Sequence, residues 1–175
     1  MGERDESAAP DRTADGHHII VNGRKWRATN PQIPAKLRTE LIGELMAGRR
    51  AVKAAKGHDT ATTIARTRVH NAKIALGERG QPWWEEPSEE GLAQRVEATI
   101  LALLSARGPE KTICPSDVAR IVASPSWRAS LPQVRAIAED LTRGGVIVIT
   151  QRGELIEHGE TVKGPVRYAM PDPNT

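Results

Sequence analysis

The chain has 175 residues, 38% hydrophobic and 27% charged, an ordinary globular mixture with a formal net charge of +3 that can bury a core. Its single cysteine, Cys114, excludes an intramolecular disulfide and a cysteine-rich zinc site. No apolar run approaches the roughly 18 residues of a membrane span, and the N-terminus lacks a basic stretch followed by an apolar core, so a cytoplasmic protein with no membrane partner is expected.

Residues 1–16 are acidic, small and polar with nothing to bury, which predicts a disordered tail. His17 opens the run HHIIV, and Asn22-Gly23, the dipeptide best suited to a type I′ turn, joins it to RKWRAT. A short β-hairpin follows, with Trp26 on a packing face opposite Lys25 and Arg27. From Pro34 to about Lys56 the Leu, Ala and Arg content favours a helix, on which Leu37, Leu41, Leu45, Gly48, Val52 and Ala55 form one apolar stripe. Gly57-His58-Asp59 breaks it. Asp59 or Thr60 caps a second helix to about Glu78, with Ala61, Ala65, Val69, Ala72 and Leu76 inward, so the two make an antiparallel hairpin. GQPWWEEPS at 80–88 marks a boundary.

Beyond the boundary, GLAQRVEATILALLSARG reads as an amphipathic helix carrying Val96, Ile100, Leu103 and Leu104 on one face. PSDVARIVAS is a shorter helix, and a third begins at Ser130 or Leu131, buried through Val134, Ile137, Ala138 and Leu141 and stopped by Gly144-Gly145. VIVITQ alternates as a strand, Arg152-Gly153 turns, and ELIEHGE and GPVRYAM supply return strands. Three helices followed by a β-hairpin is the order of a winged helix.

The C-terminal half resembles an uncharacterised bacterial family, domain of unknown function 3253, over about residues 94 to 169. The resemblance rests on ICPSDVAR at Ile113 to Arg120, Trp127-Arg128 with LPQVRAIA, ITQRG at Ile149 to Gly153, and KGPVR at Lys163 to Arg167. It implies a winged-helix-like fold and supplies no activity or catalytic residues. His18 to Glu85, with GRKWRATNPQIP, the doubled Arg49-Arg50 and HNAKIALGERGQPWW, resembles short bacterial proteins labelled "biopolymer transporter Tol". That resemblance implies a recurring module.

Charge is segregated along the chain. Residues 1–19 hold 2 Lys/Arg against 5 Asp/Glu, residues 20–82 hold 13 against 4, and residues 83–175 hold 10 against 13, giving nets of −3, +9 and −3. The central excess attracts polyanions, and its four acids are too few to neutralise it internally. Arg49, Lys53 and Lys56 lie at i, i+4 and i+7 on the first helix, beside Arg50, and Arg66, His70 and Lys73 repeat that spacing on the second. Arg24, Lys25 and Arg27 on the hairpin extend these stripes, which suit contacts to phosphates without base readout.

In the C-terminal half the third helix presents Gln133, Arg135, Ala136, Glu139, Asp140 and Arg143, a mixed surface for a recognition helix. Arg128, Arg152, Lys163 and Arg167 are placed to grip backbone. Trp83 and Trp84 are expected to pin the boundary segment, with Trp26 and Trp127 as similar anchors. Cys114 beside Pro115 at a helix start reads as a packing residue, with His158 the only candidate base near it. His17-His18 lack a third ligand at metal-binding spacing. Phosphate-cradling glycine loops and distinctive carboxylate pairs are absent from the sequence, so neither catalysis nor a cofactor is expected.

The expected fold class is mainly α with small β-hairpins. A disordered tail (1–16) precedes a basic β-hairpin plus antiparallel helical hairpin (17–80), a linker (81–90), a winged helix-turn-helix domain (91–170) and a tail (171–175). The expected function is non-catalytic nucleic-acid binding, with DNA ahead of RNA. The basic hairpin would contact phosphates and the winged helix would orient the complex. A protein-interaction adapter docking through the winged helix is the alternative.

Overall fold

A computed structural model describes residues 10–157 and 163–172. The described residues are mainly helical, with five α-helices and two small antiparallel sheets. The remainder of the expected N- and C-terminal tails, and His158, lie outside the described residues.

The first sheet contains the expected hairpin, β2 (His18–Val21) and β3 (Arg24–Arg27), closed by Asn22 and Gly23 with φ of 51° and 73°. Positive φ at both central residues is what a type I′ turn requires, and Asn-Gly supplies it at low steric cost. The sheet has a third strand that the reading of 1–16 as a tail did not anticipate. β1 (Asp11–Arg12) pairs antiparallel with β2, held by a turn in which Asp15 accepts from the Thr13 hydroxyl and the His17 amide. Polar composition alone conceals this strand, because it gains order from the ladder rather than from burial.

Helices α1 (Ala35–Ala54) and α2 (Asp59–Ala75) form the antiparallel hairpin. Leu37, Leu41, Leu45 and Gly48 are buried, while Val52 and Ala55 are half-buried. At Gly48 the helices meet closely, since a Cβ there would sit 3.0 Å from Val69 Cγ2. On α2, Ala65, Ala72 and Leu76 are buried as expected, but Ala61 is exposed. It lies in the opening turn of α2, beside the loop that joins the two helices, so the apolar stripe outruns the seam.

Helix α3 (Glu89–Arg107) departs most from expectation. Ser88 caps it by accepting from the Gly91 amide, and Glu89 and Glu90 complement the helix dipole in its first turn. Yet its buried residues, Arg95, Val96, Ala98, Thr99, Ile100, Ala102, Leu103 and Leu104, wrap most of the axis instead of lining one narrow face, leaving Gln94 and Glu97 exposed on the remaining stripe. The reason is position. α3 packs against α1 and α2 on one side and against α4 (Pro115–Val122) and α5 (Trp127–Arg143) on the other. One hydrophobic cluster therefore runs from Ile33, Leu37 and Leu41 through Ile100 and Leu103 to Val134, Ala138 and Tyr168. Each fully buried Leu or Ile in it contributes roughly 1.5–3 kcal/mol of apolar burial.

α5 starts at Trp127, earlier than Ser130, and carries Pro132 within it. Trp127 packs on the core and lies between Arg120 and Arg128, whose guanidinium carbons are 4.6 and 4.4 Å from its ring centre. That anchoring offsets the backbone hydrogen bond Pro132 cannot make. The second sheet follows, in the order β5 (Glu154–Leu155), β4 (Val148–Gln151), β6 (Arg167–Ala169). Arg152 and Gly153, with φ of 55° and 89°, close the β4–β5 turn. Tyr168 also bridges back to Ile113, which ties the sheet to the start of α4. Among the described residues no helix is long and apolar enough to cross a membrane.

Candidate nucleic-acid interface

Three of the four acids of residues 20–82 are engaged away from the exposed cations of the helical hairpin. Glu44, only 3% exposed, accepts from Arg68 Nε and Nη2 at 2.8 and 2.9 Å and from the Ser105 hydroxyl at 2.7 Å. Glu40 accepts two bonds from Arg107, whose guanidinium also reaches Asp117 at 3.1 Å. These carboxylates raise the pKa values of Arg68 and Arg107 above the ordinary guanidinium value. Glu78 accepts from Thr29, and Asp59 occupies the first turn of α2. Among the described residues no ion pair engages Arg49, Arg50, Lys53, Lys56 or Arg66, and all five are exposed.

Three arginines converge. Arg49 from α1, Arg66 from α2 and Arg79 line an open groove of about 390 Å³ together with Val52 and Val69. Arg49 and Arg66 belong to the two stripes read from the sequence. Arg79 does not. It follows α2 in a turn where Gly77 and Gly80 have φ of 80° and 79°, which folds the chain back. Its Nη1 lies 2.8 Å from Nδ1 of His70, which holds the guanidinium against α2. The glycines flanking Arg79 signalled a turn, but sequence spacing alone cannot state where the turn returns.

The β-hairpin divides as expected, with Trp26 on the face opposite Lys25 and Arg27, but the packing of these residues differs from the expectation. Residues directly opposite in an antiparallel pair share a face, so Arg12, Ile19, Val21, Arg24 and Trp26 lie on one side and His18, Ile20, Lys25 and Arg27 on the other. Trp26 is not the packed residue. It is 46% exposed, with Arg24 and Lys73 charges 5.5 and 5.7 Å from its ring centre. Arg27 is half-buried instead, donating to the Gly80 carbonyl at 2.7 Å and lying over Trp84. Beside it Arg95 donates to the Gln81 carbonyl, and burial, reinforced by the Arg27 charge, lowers the Arg95 pKa. The boundary segment decides this inversion. Trp83 Nε1 donates to the Ala28 carbonyl and Trp84 stacks on His17 at 4.0 Å, so the indoles cover the Arg27 end of the sheet.

The C-terminal cations are more scattered. Arg143 pairs with Asp140 within α5. Arg128 lies against Trp127, and Arg167 donates to Thr112 through Nε and Nη2. Arg135, Arg152 and Lys163 are exposed, and the Lys163 carbonyl accepts from Gln151. Cys114 is the residue before α4, and its Sγ accepts from the Ser116 hydroxyl.

Residues 93–171 match the family described as "Protein of unknown function (DUF3253)". No curated protein matches the chain. The family match covers α4, α5, the second sheet and all but the first turn of α3, whereas the arginine groove lies on the helical hairpin before it.

Proposed function

We propose that the protein binds nucleic acid without catalysis, gripping phosphates through the Arg49, Arg66 and Arg79 groove. The three arginines that line one open groove, with Glu40, Glu44 and Glu78 engaged elsewhere, carry this reading. Guanidiniums present forked donors that match phosphate oxygens, and exposed Arg50, Lys53 and Lys56 enlarge the field around them. Residues 93–171 act as a winged helix in this reading, with α5 as its recognition helix and the Arg152 turn as its wing. Because Arg143 is paired with Asp140, α5 orients the complex and the hairpin supplies most of the affinity. DNA is the preferred ligand over RNA.

The test is binding of the whole chain to a DNA duplex across a salt series. Reversal of all three groove arginines to Glu lowers the log-log salt slope by at least roughly 2.7, about 0.9 for each lost phosphate contact, whereas Arg143→Glu changes it little. Binding by the triple variant equal to that of the parent, on DNA and RNA alike, would overturn the reading. The alternative of a protein adapter is favoured by Leu155 and Met170, large apolar side chains left 60% and 41% exposed on and beside the second sheet.

A further inference from the structure

We infer that the face of the first sheet around Trp26 is a stacking platform for an unpaired nucleotide, so that the strand held by the arginine groove is single-stranded where it crosses the sheet. This rests on the phosphate reading of the groove and adds to it the state of the strand.

An indole this exposed needs an explanation, because the other three tryptophans are at least half-buried. Trp83 and Trp84 hold the boundary segment, and Trp127 is braced by two arginines at the core edge. Trp26 makes no such anchor. Its surroundings are those of a base-binding surface: Arg12 and Arg24 share its face of the sheet, and Lys73 approaches from α2. Ile19 and Val21 on the same face supply apolar area beside the ring, with Val21 left 39% exposed. Aromatic rings set among cations bind unpaired strands by stacking on the bases while the cations follow the backbone. In a duplex both faces of each base are already stacked, so such a platform discriminates in favour of unpaired strand.

The platform and the groove are continuous. Arg66, His70 and Lys73 lie at i, i+4 and i+7 on α2, one stripe that leaves the groove at Arg66, passes the His70 contact to Arg79 and ends at Trp26. At ~1.5 Å per residue the stripe spans about 10 Å, the length of roughly three nucleotides at the ~3.4 Å spacing of one strand in a duplex and fewer in an extended one. Phosphates along the arginines would therefore deliver a base to the indole without a gap. Among the described strand residues no acid lies on the Trp26 face of the sheet, since Asp11 belongs to the opposite side.

The experiment measures binding of the full chain to labelled dT20, rU20 and a 20-base-pair duplex by fluorescence anisotropy, for the parent, Trp26→Ala, Trp26→Phe and the triple groove variant. Loss of one stacked base weakens binding roughly 5- to 150-fold. Trp26→Ala is expected to lose affinity of this order for dT20 or rU20 while its duplex affinity stays within twofold. Trp26→Phe, which keeps a ring, recovers most of the loss. The triple groove variant weakens all three ligands. If Trp26→Ala weakens none of them, or weakens the duplex as much as the single strands, the platform is refuted while the phosphate reading stands. If the parent binds no nucleic acid at low salt, both fall together.

Discussion

Glu44→Ala is the sharpest test of how the two halves of this protein are joined. The Glu44 side chain, 2% exposed, ties three helices together: it sits on α1, takes two hydrogen bonds from Arg68 on α2, and a third from Ser105 on α3. Removing one partner of a fully buried ion pair costs about 3–5 kcal/mol, because the remaining charge is left dry. Here the Arg68 side chain is 34% exposed and partly rehydrates, which brings the expected cost down to about 2–3 kcal/mol including the Ser105 bond. With a urea m-value of about 2 kcal/mol/M, the unfolding midpoint falls by roughly 1–1.5 M. The assay is equilibrium urea denaturation followed by far-UV circular dichroism and tryptophan fluorescence. Because the core cluster crosses α3 without interruption, both probes report one transition and both shift by the same amount. A cycle with Arg68→Met yields a coupling of about 1–2 kcal/mol. A midpoint shift below about 0.3 M, or two transitions of which only one responds, would refute the reasoning.

Two further predictions concern buried groups. Tyr168 is 1% exposed, its hydroxyl has no hydrogen-bond partner among the described residues, and burial pushes its pKa up. The folded state thus keeps the phenol protonated where the unfolded chain ionises, so this contribution to stability is complete below about pH 10 and declines above it. Tyr168→Phe is expected to leave stability at pH 7 unchanged or raise it by up to about 1 kcal/mol, and to flatten the alkaline decline, read as melting temperature from pH 8 to 11; a loss above about 2 kcal/mol at pH 7 would show that the hydroxyl has a partner. Gly77 has a φ of 80°, and a Cβ there would lie 2.8 Å from Trp83 Cδ1. Gly77→Ala is therefore expected to cost about 2–4 kcal/mol from backbone strain and the displaced indole, with a change in tryptophan emission; a melting temperature within 2 °C of the parent's would contradict the packing described.

Much of the secondary structure and part of the candidate site were legible before any coordinates. The Asn22-Gly23 turn, the Leu37–Leu41–Leu45 stripe, the start of α4 at Pro115 and the stop at Gly144-Gly145 all follow from local rules that act over a few residues. The basic excess of residues 20–82 was equally plain, because charge is a property of composition, and it included Arg49 and Arg66. Tertiary structure decided which surfaces meet. It made α3 a central helix buried around most of its circumference, where periodicity suggested one apolar face, since Ala and Thr positions that look neutral become interior when helices pack on both sides. It turned Trp26 outward and Arg27 inward, because alternation specifies two faces of a strand but not which one the boundary tryptophans cover. It also brought Arg79 back beside Arg66 through a glycine turn whose direction no spacing rule contains. Local sequence determined where the positive charge resides and which segments coil; long-range packing determined that arginines from α1, from α2 and from the turn after it line one groove, and that an exposed tryptophan lies beside Lys73 of α2.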